Sequence, residues 1–179
     1  YSINIRITNS QITKDLKMAL VSKVMKTSLV TATPDEFVST VCKRMKDSHL
    51  GAILVVSGNQ LSGIFTERDL LNRVVSEGID PTTTKVIDVA TPNPIVVKDD
   101  AHIKECAEIL RDQGFRHLPV MDQKGNPSGI VSSRDFFQYM ANELEQVIDR
   151  MRGTDEKVDE SFDIYEYLGA GGCGLPPRL

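Results

Sequence analysis

A seven-residue motif occurs twice in this chain and limits its fold more than any other feature. The two copies are Gly63-Ile-Phe-Thr-Glu-Arg-Asp69 and Gly129-Ile-Val-Ser-Ser-Arg-Asp135. In each copy the apolar pair predicts the end of a buried strand, and the hydroxyl that follows predicts a helix N-cap. The Arg-Asp pair then lies in the first helical turn, where exposed backbone N–H groups favour an anion. Because a carboxylate accepts hydrogen bonds from sugar hydroxyls and a guanidinium binds phosphate, two related ligand sites are predicted.

The sequence around the motif is duplicated as well. Val24 corresponds to Val89, an offset of 65 residues, and Gly63 to Gly129, an offset of 66, because the second copy has a turn that is one residue longer. Each copy predicts the order β-α-β-β-α, with strands at residues 29–32, 52–56 and 61–65 in the first and at 95–97, 118–121 and 127–131 in the second. One such repeat is too short to bury its own sheet face. We therefore expect a mixed α/β (α+β) domain in which a pseudo-two-fold axis relates the repeats.

Four segments are predicted along the chain: an N-terminal extension at residues 1–15, a first repeat at 16–78, a second repeat at 79–145, and a tail at 146–179. Alternating isoleucines at residues 3–7 predict a strand, and apolar spacing from about Thr13 to Val24 predicts a helix. The tail continues the last helix, then has six acids and one lysine between residues 154 and 166, and ends in a glycine-rich run. Its composition predicts a flexible segment.

Composition argues against several classes of function. A formal charge of −4 disfavours a general nucleic-acid-binding surface. Since no apolar run has the length of a transmembrane helix or the pattern of a signal peptide, we expect no membrane partner. The spacing of Cys42, Cys106 and Cys173 fits neither zinc nor disulfides, which favours a reducing, cytoplasmic compartment. With three histidines no metal site is expected, and without a nucleophile-elbow, P-loop or dinucleotide fingerprint we expect no enzyme.

The duplicated unit, the two motifs and the run Arg116-His-Leu-Pro-Val120 together resemble the CBS-domain family over about residues 16–145. The family is named for cystathionine β-synthase, and its tandem pair is called a Bateman module. The resemblance implies a regulatory module that senses an adenosine-containing ligand (AMP, ADP, ATP or S-adenosylmethionine) in clefts between the repeats. It also implies a homodimer formed through the helices, and no required cofactor.

The resemblance assigns roles to individual residues of this chain. The motif carboxylates, Asp69 and Asp135, would bind ribose hydroxyls, and each motif's hydroxyl and arginine would approach the phosphates. The adenine would lie between the first strand and the start of the second strand of a repeat. The implied nucleotide-binding residues are Thr31, Thr33, Thr66, Arg68, Asp69, Val97, Arg116, His117, Ile130, Ser132, Arg134 and Asp135.

The two copies differ where a phosphate would bind. The first carries Glu67 inside its motif, and its equivalents of Arg116 and His117 are Gly51 and Ala52. An added negative charge and a missing cation predict a weaker phosphate site there, so the second copy is expected to be the better one. The motif acids also have a simpler interpretation as acids of the first helical turn, and His117 has one as a structural histidine.

Two other functions stay open at the level of sequence. A CBS pair with empty clefts would be a dimerising scaffold whose tail or helices recruit a partner protein, and the missing cation at Gly51 favours this for one cleft. Alternatively, the chain would be the regulatory fragment of a larger enzyme, channel or transporter, which its start at Tyr1 permits.

Overall fold

The computed structural model describes the backbone of residues 19–152, and the side chains of these except residue 144 and residues 147–152. The strand predicted at residues 3–7, the start of the helix predicted from Thr13, and the acidic and glycine-rich tail from residue 154 lie outside the described residues. Within the described range the chain forms two units that follow the predicted order of helices and strands.

The first unit consists of β1 (Thr31–Ala32), α1 (Val38–Asp47), β2 (Ala52–Ser57), β3 (Gln60–Thr66) and α2 (Glu67–Asp69), which continues as a π-helical turn (Leu70–Val75). β1 pairs with β2 in parallel, and β2 pairs with β3 antiparallel. Val38, Val41 and Met45 form the buried face of α1, at the spacing of an amphipathic helix.

The second unit repeats this order after a link formed by α3 (Val86–Val89) and β4 (Thr91–Pro92). It consists of β5 (Val97–Lys98), α4 (Ile103–Gln113), β6 (His117–Met121), β7 (Pro127–Ser132) and α5 (Ser133–Arg152). β5 and β6 are parallel, and β6 and β7 are antiparallel. The mixed α/β fold predicted from the repeat is therefore confirmed. Over residues 19–152, none of the helices combines the length and apolar character that spanning a membrane requires.

The segment that precedes each unit pairs with the last strand of the other unit. β4 pairs antiparallel with β3, where Thr91 is opposite Ile64. At the equivalent place before the first unit, the Lys26 amide donates to the Ile130 carbonyl at 2.9 Å, and the Ile130 amide donates back at 3.1 Å. The sequence did not predict this exchange, because contacts of one or two residues have no periodicity to detect.

The helix predicted to run to Val24 is wrong over its described part. Leu20 is extended and pairs with the second unit, and only Val21–Lys23 form a 3₁₀ turn. The Val21 side chain is fully buried in the core of the second unit, and its amide donates to the Ala101 carbonyl at 2.8 Å. Pairing and burial against the second unit override the helical spacing of the sequence.

Each unit has its own hydrophobic core, and a third cluster joins the two. Phe65 is the largest fully buried residue of the first core, and Leu118 is fully buried in the second. The joining cluster contains Leu54 and Ile64 of the first unit, with Ile130 of the second unit packed against them. Each sheet thus buries one face within its unit and part of the other face against its neighbour, as expected for repeats too short to fold alone.

Replacing Gly63 with Ala should push β3 away from β4. A Cβ atom at this position would lie 2.9 Å from the carbonyl oxygen of Thr91, which is too close for an undistorted contact. We expect the variant to lose about 1–3 kcal/mol of its free energy of unfolding, measured by urea denaturation. Ser62→Ala, one residue earlier on the same strand, is the control and should cost less than about 0.5 kcal/mol. Equal stability of the two variants would contradict the close approach of the strands.

Candidate functional site

Thr66 and Asp69 of the first motif hold each other through reciprocal hydrogen bonds. The carboxylate oxygen Asp69 Oδ2 accepts from the Thr66 amide at 2.9 Å and from the Thr66 hydroxyl at 2.6 Å. The Asp69 amide donates to the Thr66 hydroxyl at 3.2 Å. This is a capping box, which forms because β3 ends at a hydroxyl residue exactly where the helix needs partners for its first amides.

Ser132 and Asp135 repeat this geometry where β7 meets α5. Asp135 Oδ2 accepts from the Ser132 amide at 3.1 Å and from the Ser132 hydroxyl at 2.5 Å, and the Asp135 amide donates to that hydroxyl at 3.2 Å. In both motifs Oδ2 is therefore occupied by the helix start, as the simpler interpretation of these acids expects. The other oxygen, Oδ1, is directed to different partners in each motif, so a structural role and a ligand role are compatible.

The Oδ1 atoms of the two carboxylates face equivalent neighbours. Lys26 Nζ lies 3.1 Å from Asp135 Oδ1, and the Thr91 hydroxyl donates to Asp69 Oδ1 at 3.4 Å. Lys26 and Thr91 occupy the same place in the two cross-unit pairings, so the exchanged segments supply both contacts. Asp69 Oδ1 also has a cation nearby, since Arg73 Nε is 3.5 Å away.

The charge of Asp135 is stabilised in the folded protein. Partial burial by itself would raise the pKa of Asp135, but the hydrogen bonds from Ser132 and the ion pair with Lys26 outweigh burial and hold the pKa below its usual value. The Asp135 side chain is only 15% exposed, whereas that of Lys26 is 60% exposed. Lys26 is therefore able to move away and leave a charged oxygen for a ligand hydroxyl.

Asp135 lies on the wall of a cleft of about 470 Å³, the Asp135 cleft, which both units line. The second unit contributes its motif and the start of β6, and the first contributes Lys26 and the end of α1. The lining residues are Lys26, Met45, Lys46, His49, Leu50, Gly51, Ala52, Glu67, Arg116, His117, Ile130, Ser132, Ser133, Arg134 and Asp135.

Asp69 lies on the wall of a second cleft of about 360 Å³, the Asp69 cleft. It too is lined by both units, because β4 and the segment after it run past the first motif toward the second unit. The lining residues are Ile64, Thr66, Arg68, Asp69, Arg73, Thr91, Asn93, Pro94, Ile95, Phe115, Arg116 and His117.

Cations outnumber acids in both clefts. The charged residues of the Asp135 cleft are Lys26, Lys46, Arg116 and Arg134, against Glu67 and Asp135. Those of the Asp69 cleft are Arg68, Arg73 and Arg116, against Asp69. Both clefts therefore favour a ligand that combines an anionic group with hydroxyls.

Arg116 and His117, at the start of β6, line both clefts. Burial lowers the pKa of His117 and the neighbouring charge of Arg116 lowers it further, while Glu67 and Asp135 act in the opposite direction. The His117 ring is consequently neutral near pH 7, with one nitrogen as a donor and the other as an acceptor.

The position of Glu67 does not support the expectation that it weakens the site of its own motif, because Glu67 lines the Asp135 cleft and not the Asp69 cleft. Gly51 makes this placement possible. A Cβ atom on Gly51 would lie 3.3 Å from Glu67 Oε2 and 3.3 Å from His117 Cε1, so both groups occupy space that a side chain would need. The predicted ranking of the two sites by charge loses its basis, since the extra acid falls in the cleft that was ranked as better for phosphate.

Three of the implied binding residues, Thr31, Thr33 and Val97, line neither cleft, so their positions do not support that role. Val97 is buried in the core of the second unit. The Thr31 carbonyl accepts from Arg44 at 2.7 Å, and the Thr33 amide donates to Glu36 at 2.7 Å, so both threonines take part in fixing α1 against β1. The other nine implied residues line one or both clefts.

Several residues of the clefts were not predicted from the sequence. Lys26 and Thr91 were detectable, because they correspond in the repeat at the same offset as Val24 and Val89. Lys46 and Arg73 lie on helices, where a charged residue that lines a cleft has the same sequence spacing as one that faces solvent. Nothing in the sequence therefore identifies them as cleft residues. His49 lines the Asp135 cleft while remaining exposed.

Within residues 19–152, no three His, Cys, Asp or Glu side chains are arranged to hold a metal ion. Cys42 and Cys106 are free thiols. Burial raises the pKa of both, to about 11 for Cys106, so neither is activated as a nucleophile.

Comparisons with known proteins agree with the duplicated architecture. The family model described as CBS domain matches residues 21–76 and again residues 86–142. An uncharacterized protein of Methanopyrus kandleri is 28% identical over 144 residues, which are 80% of this chain and 74% of that protein. The CBS domain-containing protein CBSCBSPB3 of Arabidopsis thaliana is 34% identical over 120 residues, which are 67% of this chain. The chain covers 20% of the length of that plant protein.

Solved structures share the fold. The CBS domain protein PAE2072 from Pyrobaculum aerophilum, complexed with AMP, has a TM-score of 0.64 at 23% identity, covering 73% of this chain and 99% of that chain. The CBS domain pair of protein MJ0100, in complex with 5′-methylthioadenosine and S-adenosyl-L-methionine, has a TM-score of 0.64 at 19% identity, covering 70% and 98%. At these identities the likeness concerns the fold.

Replacing Asp135 with Asn should destabilise the protein in a pH-dependent manner. Because the folded-state pKa of Asp135 is lowered, the charged form stabilises the fold above the unfolded-state pKa, and this contribution is lost as the pH falls through the folded-state value. We expect D135N to be less stable than wild type by about 1 kcal/mol at neutral pH. The difference should shrink in urea denaturation as the pH is lowered below about 4.

The matched control is Asp100→Asn, since Asp100 is exposed and lies outside both clefts. Its stability relative to wild type should show no comparable change with pH. A difference between D135N and wild type that stays constant from neutral to acidic pH would contradict the assigned role of the Asp135 charge.

Proposed function

The chain belongs to the CBS-domain family, and we propose that it is a regulatory module that binds an adenosine-containing ligand (AMP, ADP, ATP or S-adenosylmethionine) in the Asp69 and Asp135 clefts. CBS-domain proteins are generally regulatory rather than catalytic. The chain would act by changing the state of a partner protein according to ligand occupancy. The free thiols of Cys42 and Cys106 fit the cytoplasmic compartment proposed for it.

The observation that carries this proposal is the paired geometry of the two motif carboxylates. Each uses Oδ2 to start a helix and keeps Oδ1 at the wall of a cleft with an excess of cations. A ribose hydroxyl that donates to Oδ1 would replace the contact with Lys26 or Thr91, so the carboxylate keeps a partner. A phosphate on the same ligand would then meet the motif arginine, Arg68 or Arg134.

The size and apolar walls of the clefts also suit a nucleoside. Volumes of about 360 and 470 Å³ lie in the range of small-molecule sites, roughly 300–1,000 Å³. In the Asp69 cleft, Ile95 and Phe115 provide apolar surface for a purine base, and Leu50 and Ile130 do so in the Asp135 cleft. An apolar wall for the base, a carboxylate for the sugar and cations for phosphate together match an adenosine nucleotide.

The solved relatives support the class of ligand. One CBS domain protein of the same fold is complexed with AMP, and one CBS domain pair is in complex with 5′-methylthioadenosine and S-adenosyl-L-methionine. All three compounds contain adenosine, which supports a shared recognition of the nucleoside and leaves the group on its 5′ carbon as the variable part.

Lys26 offers a route by which occupancy would reach the rest of the molecule. Its side chain holds Asp135, and its backbone pairs with Ile130. A ligand that takes over Asp135 Oδ1 would release the Lys26 side chain and change the stability of the segment that joins the first unit to the second. A ligand shifts such an equilibrium only through its different affinity for the two states.

We further propose a homodimer formed through the helices that end the two units. Leu71 on the π-helical turn and Phe137 on α5 occupy corresponding positions of the repeat and are 60% and 66% exposed. Val75, one helical turn after Leu71, is 62% exposed. Large apolar side chains at this exposure on both units favour burial in an interface.

Ligand binding should depend on both motif carboxylates. We expect AMP, ADP, ATP or S-adenosylmethionine to raise the melting temperature of the wild-type protein by several degrees, because a ligand that binds only the folded state stabilises it. In calorimetric titrations, Asp69→Ala and Asp135→Ala should each remove one site or weaken it by at least about tenfold. Asp100→Ala is the control and should bind as wild type does. Absence of binding to wild type by every compound would favour the scaffold function instead.

The dimer should depend on the exposed apolar helix positions. The double variant Leu71→Glu, Val75→Glu places two charges in the proposed interface and should convert the dimer to a monomer in size-exclusion chromatography with light scattering. Phe37→Glu is the control, because Phe37 is 46% exposed and precedes α1, so it lies on neither of these helices. A wild-type protein that is monomeric, or a double variant that remains dimeric, would refute this interface.

A further inference from the structure

One cation serves two sites in this molecule. Arg116 lines both the Asp69 cleft and the Asp135 cleft. The corresponding residue of the first unit is Gly51, since Ala52 is paired with Thr66 as His117 is paired with Ser132. The duplication that produced two carboxylates and two capping boxes has therefore left a single guanidinium between the clefts.

Arg116 is uncommitted, whereas the cations that belong to the Asp69 cleft alone are engaged. Arg116 is exposed, and within the described part of the chain its guanidinium makes no hydrogen bond or ion pair. Arg73 lies 3.5 Å from Asp69 Oδ1 and donates to the Val89 carbonyl at 3.1 Å. Arg68 donates to the Gly114 carbonyl at 3.3 Å. A phosphate that meets Arg68 in the Asp69 cleft would therefore also depend on Arg116, because Arg116 is the cation of this cleft whose side chain has no other contact among the described residues to give up.

The Asp135 cleft competes for the same guanidinium. It also contains Lys46 and Arg134, which do not line the Asp69 cleft and make no ion pair within residues 19–152. A phosphate bound there would draw Arg116 toward a cluster of three cations. The Asp69 cleft would then lose its uncommitted cation and face an additional negative charge across the shared wall.

We propose that Arg116 couples the two clefts negatively for phosphorylated ligands, so that a phosphate bound in one cleft lowers the affinity of the other for a second phosphate. The inference rests on the proposed function, in which both clefts bind adenosine-containing ligands. One guanidinium carries a single charge, and a phosphomonoester carries nearly two at neutral pH, so Arg116 does not neutralise two such groups. The coupling is reciprocal by thermodynamic necessity. Adenosine has no phosphate and binds the two clefts independently.

The test is isothermal titration calorimetry with AMP and with adenosine. Asp135→Ala leaves only the Asp69 cleft and Asp69→Ala leaves only the Asp135 cleft, so these variants give the intrinsic affinity of each cleft. In wild type the affinity for the second AMP should be at least about tenfold lower than the affinity of the weaker single-cleft variant, or too low to detect. Adenosine should bind wild type with the two intrinsic affinities unchanged.

Removal of the shared cation identifies its role. In Arg116→Ala, AMP should bind each cleft more weakly. The affinity for the second AMP should nevertheless equal the intrinsic affinity of that cleft, measured by adding Asp69→Ala or Asp135→Ala to Arg116→Ala. Lys46→Ala is the matched control, because Lys46 lines only the Asp135 cleft. It should lower AMP affinity in that cleft and retain the weakening of the second step.

Three results would overturn the inference. One is a wild-type protein whose two AMP affinities equal the intrinsic values, and another is an Arg116→Ala protein that keeps the full weakening. The third is a single-cleft variant that binds no adenosine and no AMP, because one working cleft leaves nothing to couple. Failure of wild type to bind either compound would overturn the proposed function itself, which distinguishes that failure from loss of coupling alone.

Discussion

The exchange of edge segments between the two units determines where both clefts form. Backbone hydrogen bonds place Lys26 on β7 of the second unit, and the pairing of β4 with β3 places Thr91 on the first. The same bonds bring these side chains to the Oδ1 atoms of Asp135 and Asp69. Neither cleft would have its wall if a unit folded alone, so burial of the sheets and assembly of the sites are one event.

In each motif carboxylate one side chain stabilises the helix start and would also serve the proposed recognition of a ligand. Because Oδ2 of Asp135 is held by the amide and hydroxyl of Ser132, the rotamer of the carboxylate is fixed before any ligand arrives. The remaining oxygen then points to the cleft without further ordering, which lowers the entropic cost of binding. The two roles use different atoms of the same group and therefore do not compete.

The sequence predicted what is periodic or local and missed what depends on contacts between units. Strand and helix order, the caps at Thr66 and Ser132, and the fold class follow from spacing within a repeat. The side chain of Glu67 lines a different cleft from the one expected, because its direction depends on the space left by Gly51. The helical spacing before Val24 was misleading, because pairing with the second unit decides that backbone.

The two clefts have equivalent capping boxes and cross-unit pairings, but sequence divergence between the units would make them require different things of a ligand. A hydroxyl that enters the Asp69 cleft would replace a long hydrogen bond from Thr91, while Arg73 would stay beside the same carboxylate oxygen. A hydroxyl that enters the Asp135 cleft displaces an ammonium group, and Lys26 then needs another anion. A phosphorylated ligand supplies that anion in the same cleft, whereas a ligand whose 5′ group is cationic does not. The exchange of Lys26 for Thr91, together with Arg73 beside Asp69, would thus give the duplicated sites different preferences for charge.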